Sequence, residues 1–289
     1  MTTLCAKANA KLNLTLDVLG LRDDGYHDLC MVMQEISLGD EIALTIGTGK
    51  EWEVRGDCAS IPLDKSNLAC RAASAFFSES GIDCGGLSIE IVKRTPVCAG
   101  MGGGSADGAA VLRLLQEYYN APISETALYR LAEETGSDVP FALFGGTALA
   151  REKGQVLTRV PALPPCLIVL CKPCFPISTP ALFRAVDRTE ITRRPDTEEM
   201  IRALQASDLK RIGSLLCNVF EPIVEAEHPE LSHIRSVLIS QGALGASMTG
   251  SGPTMFALFD DRSRAEEAAR ILHRTYPETF LTEPVYHKD

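Results

Sequence analysis

Residues 95–112 read TPVCAGMGGGSADGAAVL, with glycines at 100 and 102–104 and a serine at 105. Glycine tolerates positive φ and lets a ligand come close to the main chain. The small residues from Ser105 onward predict a helix over about 105–119, ended by Asn120 and Pro122. The loop therefore sets backbone N–H groups at a helix N-terminus, where the helix dipole favours an anion; the chemistry it suits is phosphate binding. A tight turn packing a helix on a strand needs fewer glycines. The familiar phosphate loops do not fit. No lysine follows Gly104, as a Walker A loop requires, and Ser105 takes the place of the last glycine of a dinucleotide fingerprint. The protein-kinase signatures are absent as well.

Other residues with chemical potential are scattered along the chain. Residues 248–255, MTGSGPTM, form a second Gly/Ser-rich loop between two strand-like segments; alone, it reads as a hairpin turn. Lys11 and Asn13 lie where Leu12, Leu14, Leu16 and Val18 alternate with polar residues, so both are expected on the solvated face of a half-buried strand. Asp138, followed by Val139 and Pro140, reads as a helix N-cap. Cys171-Lys172-Pro173-Cys174 has the spacing of a metal or redox pair, but no second Cys pair or His pair matches it, and no metal site is expected.

Strands and helices must bring these residues together. A turn is expected over 21–29, with Asp24-Gly25 at its tip, followed by strands at 31–46 and 87–94. Helices are expected at 66–80, with Ser66 as N-cap, and from Ser124 to about Gly136. Further strands fit 145–152, 165–173, 245–248, 254–259 and 280–287, and further helices fit 197–205, 208–226, 229–241 and 262–275. Strands and helices mixed without regular βαβ alternation point to an α+β fold.

The length of 289 residues favours two domains, divided near residue 160 into 1–160 and 161–289. A net charge of −10 argues against a protein that coats nucleic acid or an anionic membrane. A small anionic ligand would then be held by local lysines, backbone N–H groups or a metal. No apolar run is long enough to cross a bilayer and no secretory signal opens the chain, so a cytoplasmic protein is expected. The ten cysteines, several in apolar segments (Cys70, Cys98, Cys166, Cys217), are expected as reduced, buried thiols.

The stretch Ala10-Lys11-Leu12-Asn13, the glycine loop and MTGSGPTM resemble the three motifs of the GHMP family of small-molecule kinases. AKLNLTLDVLGLRDDGYHDL (10–29), MVMQEISLGDEI (31–42), KSNLACRAA (65–73), GSDVPFAL (136–143) and ISTPALF (177–183) are similar, in the same order, to the branch whose substrate is a cytidine-diphosphate alcohol. The resemblance spans nearly the whole chain, and Asp24-Gly25-Tyr26-His27 is its most specific part. It implies a two-domain α+β GHMP kinase fold, with a ribosomal-protein-like N-terminal domain, a ferredoxin-like C-terminal domain and the active site in the cleft between them. It also implies phosphoryl transfer from ATP, with Mg²⁺, to the alcohol.

The roles it carries over are these. Lys11 and Asp138 are the catalytic pair, Asp138 as base and Lys11 holding it ionised. Pro96, Val97, Cys98, Ala99, Gly100 and Met101 cradle ATP, with Gly102, Gly103, Gly104, Ser105 and Ala106 beyond them. Asn67 lies near the adenine, a role that competes with capping the helix it precedes. Asn13, Tyr26, His27, Thr179, Phe183, Gly250, Ser251 and Gly252 serve the acceptor, the aromatic rings by stacking on its base. Two positions depart from the commoner pattern: Asn9 stands where proline is frequent, and Ala106 leaves Ser105 as the loop's one hydroxyl. The partners implied are small molecules, with neither nucleic acid nor membrane, for a monomer or weak homodimer. The alternatives are a sister kinase acting on another alcohol and a silent nucleotide-binding protein.

Overall fold

The computed structural model describes residues 1–47, 49 and 51–286. These fall into two compact units, neither contiguous in sequence: 1–10, 38–97 and 102–144 form one, and 11–37, 98–101 and 145 onward form the other. Both mix helix and sheet, the α+β class that the sequence indicates.

Two long strands, β1 (Thr2–Leu21) and β2 (His27–Ile46), contribute to both units. Within the first unit β2 pairs antiparallel with β4 (Leu87–Val92), from Glu41 opposite Val92 to Ile46 opposite Leu87, and β3 (Glu53–Gly56) joins β4 in parallel. Ile42, Leu44 and Ile46 on β2 and Leu87, Ile89 and Ile91 on β4 are buried at every second position, one face of the pleat. That face packs in one core with helices α1 (Leu68–Ser80), α2 (Gly103–Tyr118) and α3 (Glu125–Thr135), with Val139 of α4 (Val139–Phe144). Helices α1 and α2 run close because a Cβ on Gly108 would lie 3.2 Å from the Leu68 carbonyl oxygen. The cap of α1 is Asn67 rather than the expected Ser66: Asn67 Oδ1 accepts from the Ala69 N–H at 2.9 Å. Ser66 instead donates to Asp64 in the turn before it.

In the second unit β2 pairs antiparallel with β5 (Thr147–Glu152), which continues into β6 (Val156–Arg159). A second sheet has the order β11-β7-β10-β9, built from β7 (Leu167–Cys171), β9 (Gly245–Met248), β10 (Met255–Phe259) and β11 (Thr279–Thr282). Every residue of β7 and β10 is buried, so both faces of these central strands are covered, which explains their unbroken apolar runs. The helices are α5 (Thr179–Val186), α6 (Thr197–Gln205), α7 (Leu209–Leu215), α8 (Glu221–Glu227), α9 (Glu230–Ser240) and α10 (Arg262–His273).

Four further expectations need correction. The helix expected over 208–226 is two, α7 and α8, separated by the short strand β8 (Cys217–Asn218), which pairs in parallel with Thr15 and Leu16 of β1. Pro222, in the first turn of α8, is the signal for the break: proline is at home in a first turn but removes a hydrogen bond from a helix interior. Lys11 and Asn13 are buried, not solvated, since all residues from Ala10 to Val18 are covered. The cysteines are not uniformly buried: Cys70, Cys84, Cys171 and Cys217 are, but Cys30, Cys58 and Cys166 are half-buried and Cys5, Cys98 (at φ +54) and Cys174 are exposed. The last strand expected, 280–287, begins at Thr279 and ends at Thr282, and residue 287 lies outside the described residues.

Candidate active site

The second unit assembles what the sequence presents as three separate pieces. The Lys11 ammonium donates to Asn13 Oδ1 at 2.8 Å, and the Lys11 N–H donates to the Met101 carbonyl at 3.0 Å, so β1 holds the end of the first glycine loop. Asn13 Oδ1 accepts from the Gly250 N–H at 3.0 Å, and the Asn13 N–H donates to Thr249 Oγ1 at 3.1 Å. Thr249 Oγ1 in turn donates to the Gly100 carbonyl at 3.4 Å. Gly100 and Gly250 both have positive φ, +73° and +56°. A Cβ on Gly250 would sit 2.5 Å from the Gly100 carbonyl oxygen, and one on Gly100 would run into the Thr249 carbonyl. The two loops meet main chain to main chain, so glycine at 100 and 250 is required by their contact as well as by any ligand.

Neighbouring side chains extend this junction. Thr179 Oγ1, in the first turn of α5, lies 2.9 Å from Ser251 Oγ. One turn on, Phe183 stacks on His27, with ring centroids 4.7 Å apart and planes at 29°, and packs edge-on against Phe220. His27 Nε2 lies 2.8 Å from Asp187 Oδ1. A carboxylate there makes Nε2 the donor, which leaves Nδ1 of the neutral ring as an acceptor. Tyr26 stands apart at the hairpin tip, 60% exposed, with the Lys153 ammonium 5.3 Å from its ring centroid.

The first unit holds both ends of the first loop. Asp40, fully buried, accepts from the N–H groups of Arg94 and Thr95 at 2.6 and 2.7 Å and from the Lys93 ammonium. The same ammonium reaches Asp107 Oδ2, near the start of α2, at 3.0 Å. One buried lysine thus ties the strand entering the loop to the helix leaving it. Burial pulls the Lys93 pKa down, but the charges of Asp107 and Asp40 outweigh it and the net shift is upward. Burial, aided by Asp40, pushes the Asp107 carboxyl up to about 7 against the opposing pull of Lys93. Sequence reading missed this cluster; the available signal was an acid at 107 inside an apolar helical run.

Asn67, Pro96, Val97, Gly102, Gly103, Gly104, Ser105, Ala106 and Asp138 belong to the first unit, and the remaining expected site residues to the second. Asn67 uses both ends of its amide, one as the cap of α1 and the other donating to the Pro62 carbonyl at 2.7 Å. Asp138, half-buried, precedes α4, and its carbonyl accepts from the Ala142 N–H at 3.0 Å. Among the described residues no three His, Cys, Asp or Glu side chains are placed to hold a metal ion. Of the Cys171/Cys174 pair, Cys171 is buried, and that burial raises its pKa to about 12, far from a reactive thiolate. No helix among the described residues is long and apolar enough to cross a membrane.

The two glycine loops thus meet through the Asn13 and Thr249 side chains and the Lys11 main chain, in a protein of α+β architecture. Comparison makes this specific. Residues 67–146 match the model of the GHMP kinases N terminal domain, and residues 200–278 that of GHMP kinases C terminal. The 4-diphosphocytidyl-2-C-methyl-D-erythritol kinase of Pelotomaculum thermopropionicum is 42% identical over 96% of this chain and 97% of its own length. The same kinase of Clostridium kluyveri is 40% identical over 96% and 99%. A crystal structure of a 4-(cytidine 5'-diphospho)-2C-methyl-D-erythritol kinase superposes with a TM-score of 0.82 at 31% identity, covering 98% of this chain and all of that one. Homoserine kinase from Cytophaga hutchinsonii, at 17% identity and a TM-score of 0.76 over 99% and 95%, shares the fold. The chain belongs to the GHMP kinase family, and it is a small-molecule kinase that uses ATP.

Proposed function

We propose that the chain transfers the γ-phosphoryl group of ATP to the 2-hydroxyl of 4-diphosphocytidyl-2-C-methyl-D-erythritol, a step of non-mevalonate isoprenoid biosynthesis. Similarity to kinases of that name over 96% of the chain supports the reading. The observation that carries the substrate is the His27–Phe183 stack with Asp187 behind the imidazole. An aromatic face suits a pyrimidine, and Nδ1 of His27 is an acceptor for the exocyclic amine of cytosine. A substrate without a base has no use for either.

On this reading the N–H groups from Gly100 to Ser105 receive the triphosphate at the start of α2. Mg²⁺, when bound, neutralises charge on the transferring group. The donor set fits a hard cation held chiefly through phosphate oxygens, with Ser105 as the loop's one hydroxyl and no carboxylate cage among the described residues. Asp138 serves as base for the acceptor hydroxyl, and Lys11, oriented by Asn13, as the catalytic cation. Thr249, Gly250, Ser251 and Gly252, with Thr179, close on the acceptor's diphosphate. The N-terminal, ATP-binding domain would run to about residue 160, between the two family matches.

The test is ATP turnover with the cytidine-diphosphate alcohol, homoserine and mevalonate, for the wild type and Asp138→Asn. The expected result is turnover of the first alcohol alone, falling about 10²–10⁴-fold in the variant. Turnover of another alcohol would move the acceptor assignment to a sister kinase.

A further inference from the structure

Gly250 is held from two sides. Its N–H donates to Asn13 Oδ1, and its carbonyl accepts from Asn218 Nδ2 at 2.8 Å. The same Nδ2 donates to the Met248 carbonyl at 2.8 Å, so one amide nitrogen serves both residues that flank Thr249. Asn218 Oδ1 accepts from the Phe220 N–H at 3.0 Å, which fixes which end of the amide faces the loop. The side chain is 3% exposed, too buried for water to replace these bonds. Glu221, on the first turn of α8, adds a second hold. Its Oε2 accepts from the Met248 N–H at 3.0 Å and from Ser247 Oγ at 2.7 Å, while Arg235 pairs with its other oxygen.

The mounting matters as much as the bonds. Asn218 lies on β8, whose register puts it opposite Leu16 of β1, the strand that also carries Lys11 and Asn13. The second glycine loop is therefore referenced, through Asn13 and Asn218, to the same strand pair that places the lysine. We propose that Asn218, backed by Glu221, is a positioning residue of this kinase: it fixes loop 249–252 in register with Lys11. This rests on the reading above, in which that loop closes on the acceptor. Asn218 donates only to loop carbonyls, so it acts through the loop and on no reacting atom.

Two variants and two readouts test it. Asn218→Asp keeps the shape and sets an oxygen against two carbonyls; Asn218→Ala removes the donor without adding repulsion. Amide hydrogen exchange of 249–252 in the full chain reads the hold directly and needs no substrate. Steady-state kinetics, expressed per folded molecule, read its consequence. Exchange is expected to quicken about tenfold or more in both variants, from the loss of buried hydrogen bonds. The kcat with the cytidine-diphosphate alcohol is expected to fall about 100-fold, with KM for ATP within about twofold, as for a misplaced group that binds no nucleotide. Unchanged exchange, or a lowered melting temperature with normal kcat per folded molecule, would overturn the proposal. An idle wild type would overturn the acceptor assignment instead, and exchange alone would then decide whether Asn218 holds the loop.

Discussion

The two glycine loops are anchored by opposite chemistries. The first is tied by ions: Lys93 between Asp40 and Asp107, all three nearly or wholly out of solvent. The second is tied by neutral amides: Asn13 accepts from the Gly250 N–H, and Asn218 spends both its polar ends on main-chain groups. Removing one member of a desolvated ion cluster strands the others as buried charges, whereas removing one amide leaves unpaired dipoles. The first anchorage should therefore fail abruptly and sensitively to pH. The second should fail gently and show itself in rate before stability.

Lys93→Met gives the largest effect. It leaves Asp40 and Asp107 without their cation and is expected to cost about 3–5 kcal/mol, read by denaturant unfolding. A loss no larger than that of Asn218→Ala would erase the contrast. Gly250→Ala comes next. Its Cβ meets the Gly100 carbonyl at 2.5 Å in a left-handed backbone, so the loops must part. About 1–3 kcal/mol of stability and about 100-fold in kcat are expected to go; wild-type kinetics in this variant would show that the loops need not touch.

The smallest effect concerns pH. The Asp107 carboxyl is raised from 3.8 to about 7 in the folded chain, so the folded state holds that proton more tightly than the unfolded one. The stability linked to it is fully present below pH 3.8, declines as pH rises to about 7 and is level above. Asp107→Asn, which cannot ionise, should flatten that part of the stability profile, measured by melting at several pH values. Asn218→Ala should leave the slope as it is.

Much of this was legible in the sequence, for reasons that also explain what was not. Helix α6 and strand β9 appear at the residues expected, because periodicity and flanking turn residues agree there. The loops announce themselves by composition, since few other residues tolerate their backbone. Lys11 was misplaced to solvent because period-2 alternation reports two faces and not what covers the polar one. Strand β8, two residues long, has no period to detect, and with it went Asn218. The Asp40–Lys93 pair joins residues far apart in the chain, and only folding shows that they meet.

The interleaving of the two units has a consequence during synthesis. Residues 11–37 emerge early, yet Leu29–Gln34 find their partner strand only when Thr147–Glu152 have been made, and Thr15 and Leu16 wait for Cys217 and Asn218. A nascent chain therefore carries Met31, Val32 and Met33, all destined for the core, beside an unfilled strand edge until about half of the chain has been made. The segment that positions the lysine is the one the growing chain must shield longest.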